Sequence, residues 1–141
     1  EDNIFVGPIP TEIGLLTKLR YFGTAPDFVC SHGGLNCDQS SKFTGSLPTE
    51  MAALTSLTSL YLENNELTGE LPVAMFLAMT SLLELDLDNN NYFGTLPTEL
   101  GLLTNLQYLD LNNNDFSGTL PSEIGAISGL TLLALEFTSL T

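Results

Sequence analysis

Reactive side chains are concentrated in one short segment near the start of the chain. Cys30, His32, Cys37 and Asp38 fall close together, and these residue types are ligands that zinc accepts. The segment lacks the paired Cys-x₂-Cys spacing that is typical of structural zinc sites. Two cysteines also suit a single local disulfide, and free buried thiols are the third possibility. The residue types leave zinc binding, a disulfide and free thiols open, and the spacing of the candidate ligands argues against zinc.

Residue arrangements that support catalysis are missing from the sequence. Ser31 and His32 are neighbours in a loop, so their side chains have no reason to converge, and no Gly-x-Ser-x-Gly step surrounds the serine. No glycine-rich phosphate-binding motif occurs either. We therefore expect a protein that is not an enzyme and that needs no cofactor.

The charge balance restricts the class of partner. The 141 residues include 17 Asp and Glu against 3 Lys and Arg, a formal net charge of −14, while 43% of residues are hydrophobic. Such a chain is too apolar for an acidic disordered tail, and it has too few cations to neutralise nucleic acid or an anionic membrane. The longest stretch without a charge, residues 71–83, is too short to span a bilayer. We expect no nucleic-acid partner and no direct membrane insertion by this segment.

A repeat of about 24 residues organises the chain. A Leu/Ile-Pro step recurs at intervals of 38, 24, 25 and 24 residues, at Pro10, Pro48, Pro72, Pro97 and Pro121. Units also contain Leu-x-x-Leu-x-Leu, whose last two leucines are spaced for one face of a strand. One unit cannot bury that face alone, so the units are predicted to stack.

The prolines set the boundaries of the units. We expect one domain over residues 1–141, with a partial repeat at 1–10, a repeat with an insertion at 11–48, full repeats at 49–72, 73–97 and 98–121, and a partial repeat at 122–141. The first partial repeat lacks its strand, and the last stops before its Gly-x-x-Pro step. The sequence thus predicts a segment of a longer protein, or a subunit whose open end is covered by a partner.

Two polar features recur at fixed positions in the repeat. Asn65, Asn90 and Asn114 follow the strands, where stacked amides can supply both a donor and an acceptor to the backbone. A hydroxyl residue followed by Glu comes directly after the proline in four units, at Thr11, Thr49, Thr98 and Ser122. A hydroxyl N-cap with a carboxylate in the first turn predicts short helical or 3₁₀ segments there.

The full units share a recognisable consensus sequence. TEMAALTSLTSLYLENNELTGELP and TELGLLTNLQYLDLNNNDFSGTLP both follow L-x-x-L-x-L-x-x-N-x-L with an x-G-x-[IL]-P tail. This pattern resembles plant-type leucine-rich repeat proteins, including receptor-like kinase ectodomains and polygalacturonase inhibitors, and secreted leucine-rich repeat proteins of algae. The resemblance implies an α/β repeat solenoid, a right-handed superhelix with a five-stranded parallel β-sheet on its concave side and short helices or 3₁₀ turns on its convex side.

The same resemblance bears on compartment and on the cysteines. Because the family is usually secreted, it implies the extracellular space or an oxidising organelle lumen, and a Cys30–Cys37 disulfide that pins a 14-residue insertion at 28–41. No Asn-x-Ser/Thr sequon occurs, which favours a lumenal or assembly-bound setting. One extra residue at 73–81 predicts a fuller helical turn on the convex side. Its Met75, Phe76, Leu77 and Met79 are expected in the core, and an exposed apolar patch is the alternative.

Strand residues between the leucines point away from the core and form columns across the sheet. Carboxylates opposite one another destabilise a sheet, so this array is not there to help the fold, and tyrosines are favoured anchors at interfaces. We expect non-enzymatic recognition of a protein with a basic surface through the concave face. The predicted contact residues are Tyr21, Tyr61, Glu63, Glu84, Asp86, Asp88, Tyr108, Asp110, Asn112 and Glu136.

Other interpretations of the columns stay open. A solvated acidic face would keep a monomer soluble, and neighbouring carboxylates can share calcium, although no D-x-D-x-D-G loop is present. An ice-binding surface would need a regular ladder of Thr or Asn, which these mixed columns lack. The last alternative is an architectural subunit of a larger assembly, docked on its neighbours through the solenoid ends or the convex face.

Overall fold

The computed structural model describes residues 6–23, 42–136 and 139–140. The insertion at 28–41, with both cysteines and the histidine, lies outside the described residues, so the disulfide and zinc hypotheses stay predictions. Within the described part, successive units stack in parallel, which confirms the predicted repeat solenoid.

One parallel sheet of five strands forms the concave side, as predicted. Each strand is three residues long, and the strands follow one another in chain order across the sheet. They are β2 (Tyr21–Gly23), β4 (Ser59–Tyr61), β6 (Glu84–Asp86), β8 (Tyr108–Asp110) and β10 (Leu132–Ala134). The middle residue of each strand points into the core, where Leu60, Leu85 and Leu109 are fully buried. The flanking residues point outward.

A second parallel sheet of six short strands runs along the other edge of the core. The sequence reasoning did not predict it. Its strands are β1 (Val6–Pro8), β3 (Lys42–Gly45), β5 (Glu66–Gly69), β7 (Asn91–Thr95), β9 (Asp115–Gly118) and β11 (Ser139–Leu140). Gly45, Gly69 and Gly118 end their strands with φ of +73°, +96° and +83°. Residues other than glycine rarely adopt this conformation, so glycine is needed where the chain turns at the Gly-x-Leu-Pro step.

The convex side carries one short helical element per unit. These are four 3₁₀ helices, η1 (Thr11–Leu15), η2 (Thr49–Ala53), η3 (Thr98–Leu102) and η4 (Ser122–Ala126), and one α-helix, α1 (Val73–Ala78). The α-helix confirms the fuller turn that the extra residue predicts. Its Met75 and Phe76, and Met79 after it, are buried, whereas Leu77 is 58% exposed.

The hydroxyl N-cap prediction is wrong. The N-cap position of each 3₁₀ helix is the proline, which makes no side-chain cap, and the Thr or Ser is the first helical residue. The hydroxyl instead donates to the carboxylate of the next residue, over 3.3 Å from Thr11 to Glu12 and 3.3 Å from Ser122 to Glu123. Proline suits this position because its fixed φ and missing N–H cost nothing where no helical hydrogen bond exists.

Leucines of the strand motif fill one continuous core between the two sheets and the convex elements. The last unit has a neighbour on one side only within the described residues, and Leu133 in β10 is 39% exposed, whereas Leu60, Leu85 and Leu109 at the same position in the central units are fully buried. This contrast shows that stacking, and not the unit alone, buries the strand leucines. No helix in the described ranges is both long and apolar enough to cross a membrane.

Candidate protein-binding face

The strand register places the predicted contact residues in columns. Tyr21 pairs with Ser59, Ser59 with Glu84, Glu84 with Tyr108, and Tyr108 with Leu132. The next column reads Gly23, Tyr61, Asp86, Asp110 and Ala134. Beyond the strands, backbone hydrogen bonds Asn64–Asp88, Asn89–Asn112 and Asn113–Glu136 continue the register, so Glu63, Asp88, Asn112 and Glu136 form a third column. We call these three columns, with their carboxylates and tyrosines, the concave acidic face.

Tyrosine hydroxyls bridge carboxylates on neighbouring strands. Tyr61 donates to Glu84, which lies one strand away and one column over. The hydroxyl of Tyr108 lies 3.3 Å from Asp86 Oδ2 and 3.2 Å from Asp110 Oδ2, between the two carboxylates. The ring of Tyr21 packs against that of Tyr61 with centroids 5.5 Å apart. The aromatic rings therefore hold the carboxylates in fixed relative positions.

Asp86 is an acid of this face whose pKa is raised. Burial raises the pKa of its carboxyl to about 6, with further raising from the charges of Glu63 and Asp110. The backbone N–H of Asp88, 3.0 Å from Asp86 Oδ1, and the Tyr108 hydroxyl act in the opposite direction. A carboxyl that titrates near pH 6 is half neutral under mildly acidic conditions, so the charge of this face depends on pH.

The tyrosines of this face are held in their protonated form. Burial, followed by the hydrogen bond to Glu84, raises the pKa of Tyr61. Burial and the charges of Asp86 and Asp110 raise the pKa of Tyr108, and burial with the charges of Glu63 and Glu84 raises the pKa of Tyr21. All three hydroxyls remain hydrogen-bond donors at physiological pH.

Asp88 is oriented by two asparagines that sequence reasoning missed. Asn89 Nδ2 lies 2.7 Å from Asp88 Oδ2, and Asn113 Nδ2 of the next unit lies 3.0 Å from Asp88 Oδ1. Both asparagines have positive φ, 50° and 51°. Asparagine tolerates this conformation better than most residues. The Asn-Asn pairs that follow β4, β6 and β8 were therefore the available signal in the sequence.

The remaining predicted residues lie at the rim of the same face. Asp110 Oδ1 accepts the backbone N–H of Asn112 over 3.0 Å. Asn112 Oδ1 in turn accepts the backbone N–H of Glu136 in the next unit. Glu63 is half-buried between Tyr61 and the turn. The structure therefore brings the predicted contact residues together on one surface.

Asn65, Asn90 and Asn114 lie beneath this face, buried where the chain leaves the concave sheet. Asn90 Nδ2 lies 2.8 Å from the carbonyl oxygen of Leu62 in the preceding unit and 3.1 Å from that of Leu87 in its own unit. Its Oδ1 accepts the N–H of Leu67 over 3.0 Å. Each amide thus uses both ends, and it ties the turn of one unit to its neighbour.

In the residues that the structure describes, no group of three or more His, Cys, Asp and Glu side chains is arranged to hold a metal ion. Lys42 forms an ion pair with Glu66 at 2.9 Å, on the second sheet and away from this face. From Phe43 onward the chain has no Lys or Arg. The concave acidic face of the three central units therefore carries only negative formal charge.

Comparison with known proteins agrees with this architecture. A leucine rich repeat family profile matches residues 55–116, and no curated protein sequence matches the chain significantly. The fold is that of a leucine-rich repeat solenoid, and the repeat is consistent with the plant type. Within that class, the chain is similar to ectodomains of plant receptor kinases.

Three solved structures illustrate the similarity. The LRR ectodomain of the plant membrane receptor kinase GASSHO1/SCHENGEN3 from Arabidopsis thaliana, in complex with CASPARIAN STRIP INTEGRITY FACTOR 2, is 33% identical with a TM-score of 0.85, over 99% of this chain and 15% of that one. The Arabidopsis receptor kinase HAESA, in complex with the peptide hormone IDA and the co-receptor SERK1, is 34% identical with a TM-score of 0.83, over 99% and 21%. The BIR3–SERK2 complex from Arabidopsis thaliana gives 27% identity and a TM-score of 0.66, over 76% and 62%. This chain spans about a fifth or less of the first two ectodomain chains.

Proposed function

We propose that this protein is a non-enzymatic recognition module that binds a basic segment of a partner protein through its concave acidic face. Structurally similar ectodomains have been solved with a peptide hormone and with a co-receptor, which supports protein recognition as the general activity. Because those relatives are ectodomains, an extracellular or lumenal setting belongs to the same proposal.

The observation that carries the proposal is the tyrosine–carboxylate network. Tyr108 bridges Asp86 and Asp110, and Tyr61 bonds Glu84 across the strands. Side chains that are already fixed lose little conformational entropy when a partner binds, so such a network is pre-organised for binding. The aromatic rings supply apolar area, and the acids supply orientation and electrostatic steering.

The cost of the network to the fold also favours a binding role. Desolvation and the nearby charges of Glu63 and Asp110 raise the pKa of Asp86, which means that its ionised form is disfavoured in the free protein. A cationic group placed over Asp86 would relieve this repulsion. Binding of a Lys or Arg side chain there gains more than it would at an isolated surface carboxylate.

Geometry suggests an extended partner segment that crosses the strands. Adjacent strands lie about 4.8 Å apart, and an extended peptide advances about 6.8 Å for every two residues. The two spacings differ by about 2 Å for each strand, which the long side chains of Lys and Arg can span, so basic residues of such a segment can reach carboxylates on successive strands of the central units. A folded partner whose basic side chains have a similar spacing can bind the concave acidic face in the same way.

Selection from a random dodecapeptide library displayed on phage tests the proposal. We expect enriched peptides to carry Lys or Arg at several positions and to bind more weakly as salt concentration rises. The triple variant Asp86→Asn, Asp88→Asn, Asp110→Asn should lose at least about tenfold in affinity, since three charges that face the ligand are removed.

A matched variant on the opposite surface controls for net charge. Glu12→Gln, Glu50→Gln, Glu123→Gln removes the same number of carboxylates from the convex side and should leave the affinity for these peptides within about twofold. Enrichment of uncharged peptides, or an equal loss in both triple variants, would contradict the proposal.

A further inference from the structure

The convex surface carries an apolar stripe that the concave proposal does not use. The residue five positions after each Leu/Ile-Pro proline points outward, and it is apolar in all five units: Leu15, Ala53, Leu77, Leu102 and Ala126. Leu15, Leu77 and Leu102 are 79%, 58% and 49% exposed. Their elements contact one another in order, from η1 through η2, α1 and η3 to η4, so the five residues form a continuous row.

A shallow, open hollow lies beside this stripe, between η1 and η2. It has a volume of about 420 Å³ and is lined by Thr11, Glu12, Gly14, Leu15, Glu50 and Ala53. A Cβ atom on Gly14 would lie 2.6 Å from the carbonyl oxygen of Glu50. Glycine is therefore required for the close approach of the two helices, and it leaves the floor of the hollow without a side chain.

The same construction recurs between η3 and η4. The corresponding positions hold the same six residue types, Thr98, Glu99, Gly101, Leu102, Glu123 and Ala126. A Cβ on Gly101 would lie 2.4 Å from the carbonyl oxygen of Glu123, the same close approach as in the first pair. In α1, by contrast, Phe76 stands where these units have glycine, and it is buried. The Thr-Glu-x-Gly-Leu sequence motif thus determines the shape of the surface as well as the helix.

Charge decides which partner suits this surface. Carboxylates stand two positions after the proline in the four 3₁₀ units, and Glu12 and Glu50 at the first hollow are exposed. The nearest cation in sequence is Lys18, after the end of η1. An apolar strip beside carboxylates matches a side chain with an aliphatic stem and a cationic head, since Lys and Arg can lay their methylene groups on apolar surface while the charge stays in water.

We propose that the convex stripe is a second docking surface, which binds a basic amphipathic helix of a partner protein. Apolar residues of that helix lie along Leu15, Leu77 and Leu102. A Lys or Arg side chain enters the hollow between η1 and η2, where its stem contacts Leu15 and Ala53 and its head group reaches Glu12 and Glu50. This surface is on the opposite side of the solenoid from the concave acidic face, so the two can be occupied together.

A synthetic helix of leucine and lysine, about four turns long with its leucines on one face, is the direct probe. We expect it to bind the wild-type protein, and we expect the same helix with glutamate in place of lysine not to bind. Ala53→Lys puts a like charge into the hollow and should weaken binding by at least about tenfold. Glu12→Gln with Glu50→Gln should weaken it by about threefold to tenfold.

Two controls separate this inference from the concave proposal. Thr68→Lys adds the same charge to an exposed position of β5 in the second sheet, away from the convex stripe, and should change affinity by less than about threefold. The concave variant Asp86→Asn, Asp88→Asn, Asp110→Asn should have a similarly small effect. If Ala53→Lys and Thr68→Lys have equal effects, or if the helix loses its binding only in the concave variant, the convex docking surface is wrong while the concave proposal stands.

Discussion

The concave and convex sides of this solenoid both present carboxylates at regular intervals, yet the carboxylates differ in what holds them. On the convex side, Glu12 and Glu123 accept hydrogen bonds from the hydroxyl of the residue directly before them. On the concave side, Asp86 and Asp110 share the hydroxyl of Tyr108, and Asp88 accepts an amide from the next unit. Convex carboxylates are thus part of the local structure of each unit, whereas concave carboxylates join units to one another.

Periodicity alone therefore does not identify a binding face. A residue that recurs because each unit needs it can look the same in sequence as a residue that recurs because neighbouring units build a common surface. The distinguishing feature is the origin of the partner, which is local on one side and comes from adjacent units on the other.

The largest stability effect should come from the buried amide row beneath the concave face. Asn90→Ala leaves the N–H of Leu67 without its side-chain acceptor and removes one of the two amide donors, Asn65 and Asn90, that reach the carbonyl of Leu62. We expect the free energy of unfolding to fall by about 2–3 kcal/mol. Urea denaturation followed by circular dichroism measures this. The control is Asn105→Ala, whose exposed amide also bonds a neighbouring unit, at Thr80 O over 2.9 Å, and should cost about 0.5 kcal/mol or less. Equal costs would show that buried amides are not special in linking the units.

A smaller effect of opposite sign is expected at Asp86. Because its pKa in the folded protein is about 6, against 3.8 for the unperturbed group, the folded state holds a proton that the unfolded chain releases. The stability of the wild-type protein should therefore fall as pH rises from about 4 to about 6 and level off above that. Asp86→Asn removes this penalty, and after allowance for solvent screening we expect it to be about 1 kcal/mol more stable at pH 7 and equally stable near pH 4.

Its convex counterpart is Glu123→Gln, on an exposed carboxylate that accepts a hydrogen bond from the hydroxyl of its neighbour Ser122. That change should alter stability by less than about 0.5 kcal/mol at either pH. If Asp86→Asn destabilises the protein at pH 7 instead, the repulsion that we assign to the concave acidic face is not present.

Sequence reasoning reached the concave columns because two simple periods determine them. Alternation along a strand sends Glu84 and Asp86 outward and Leu85 inward, and the fixed repeat length sets which residues are neighbours across strands. The same logic placed Asn90 beneath the sheet. These features depend only on spacing, which the printed sequence contains.

Other features depend on three-dimensional contacts that spacing does not encode. The strands of the second sheet are two to five residues long, and β5 and β9 have one buried apolar residue between polar ones. Such a short run is not enough to tell a strand from a loop in the sequence. The hydroxyl-cap prediction failed because the 3₁₀ helix begins at Thr11 itself, one residue earlier than predicted, so that Pro10 occupies the N-cap position. Contacts such as Asn113 to Asp88 join turns of two units, and they become visible only when the units are stacked.

Carboxyl footprinting tests the central claim most directly, because both sides of the solenoid carry the reactive group. The protein, alone and saturated with the most enriched library peptide, is coupled to an amine through a carbodiimide, and mass spectrometry locates the labelled residues. The account predicts that peptide binding lowers labelling of Glu84, Asp88 and Asp110 severalfold and leaves Glu12, Glu50 and Glu123 unchanged. Protection of the convex glutamates with unchanged labelling of the concave carboxylates would contradict it.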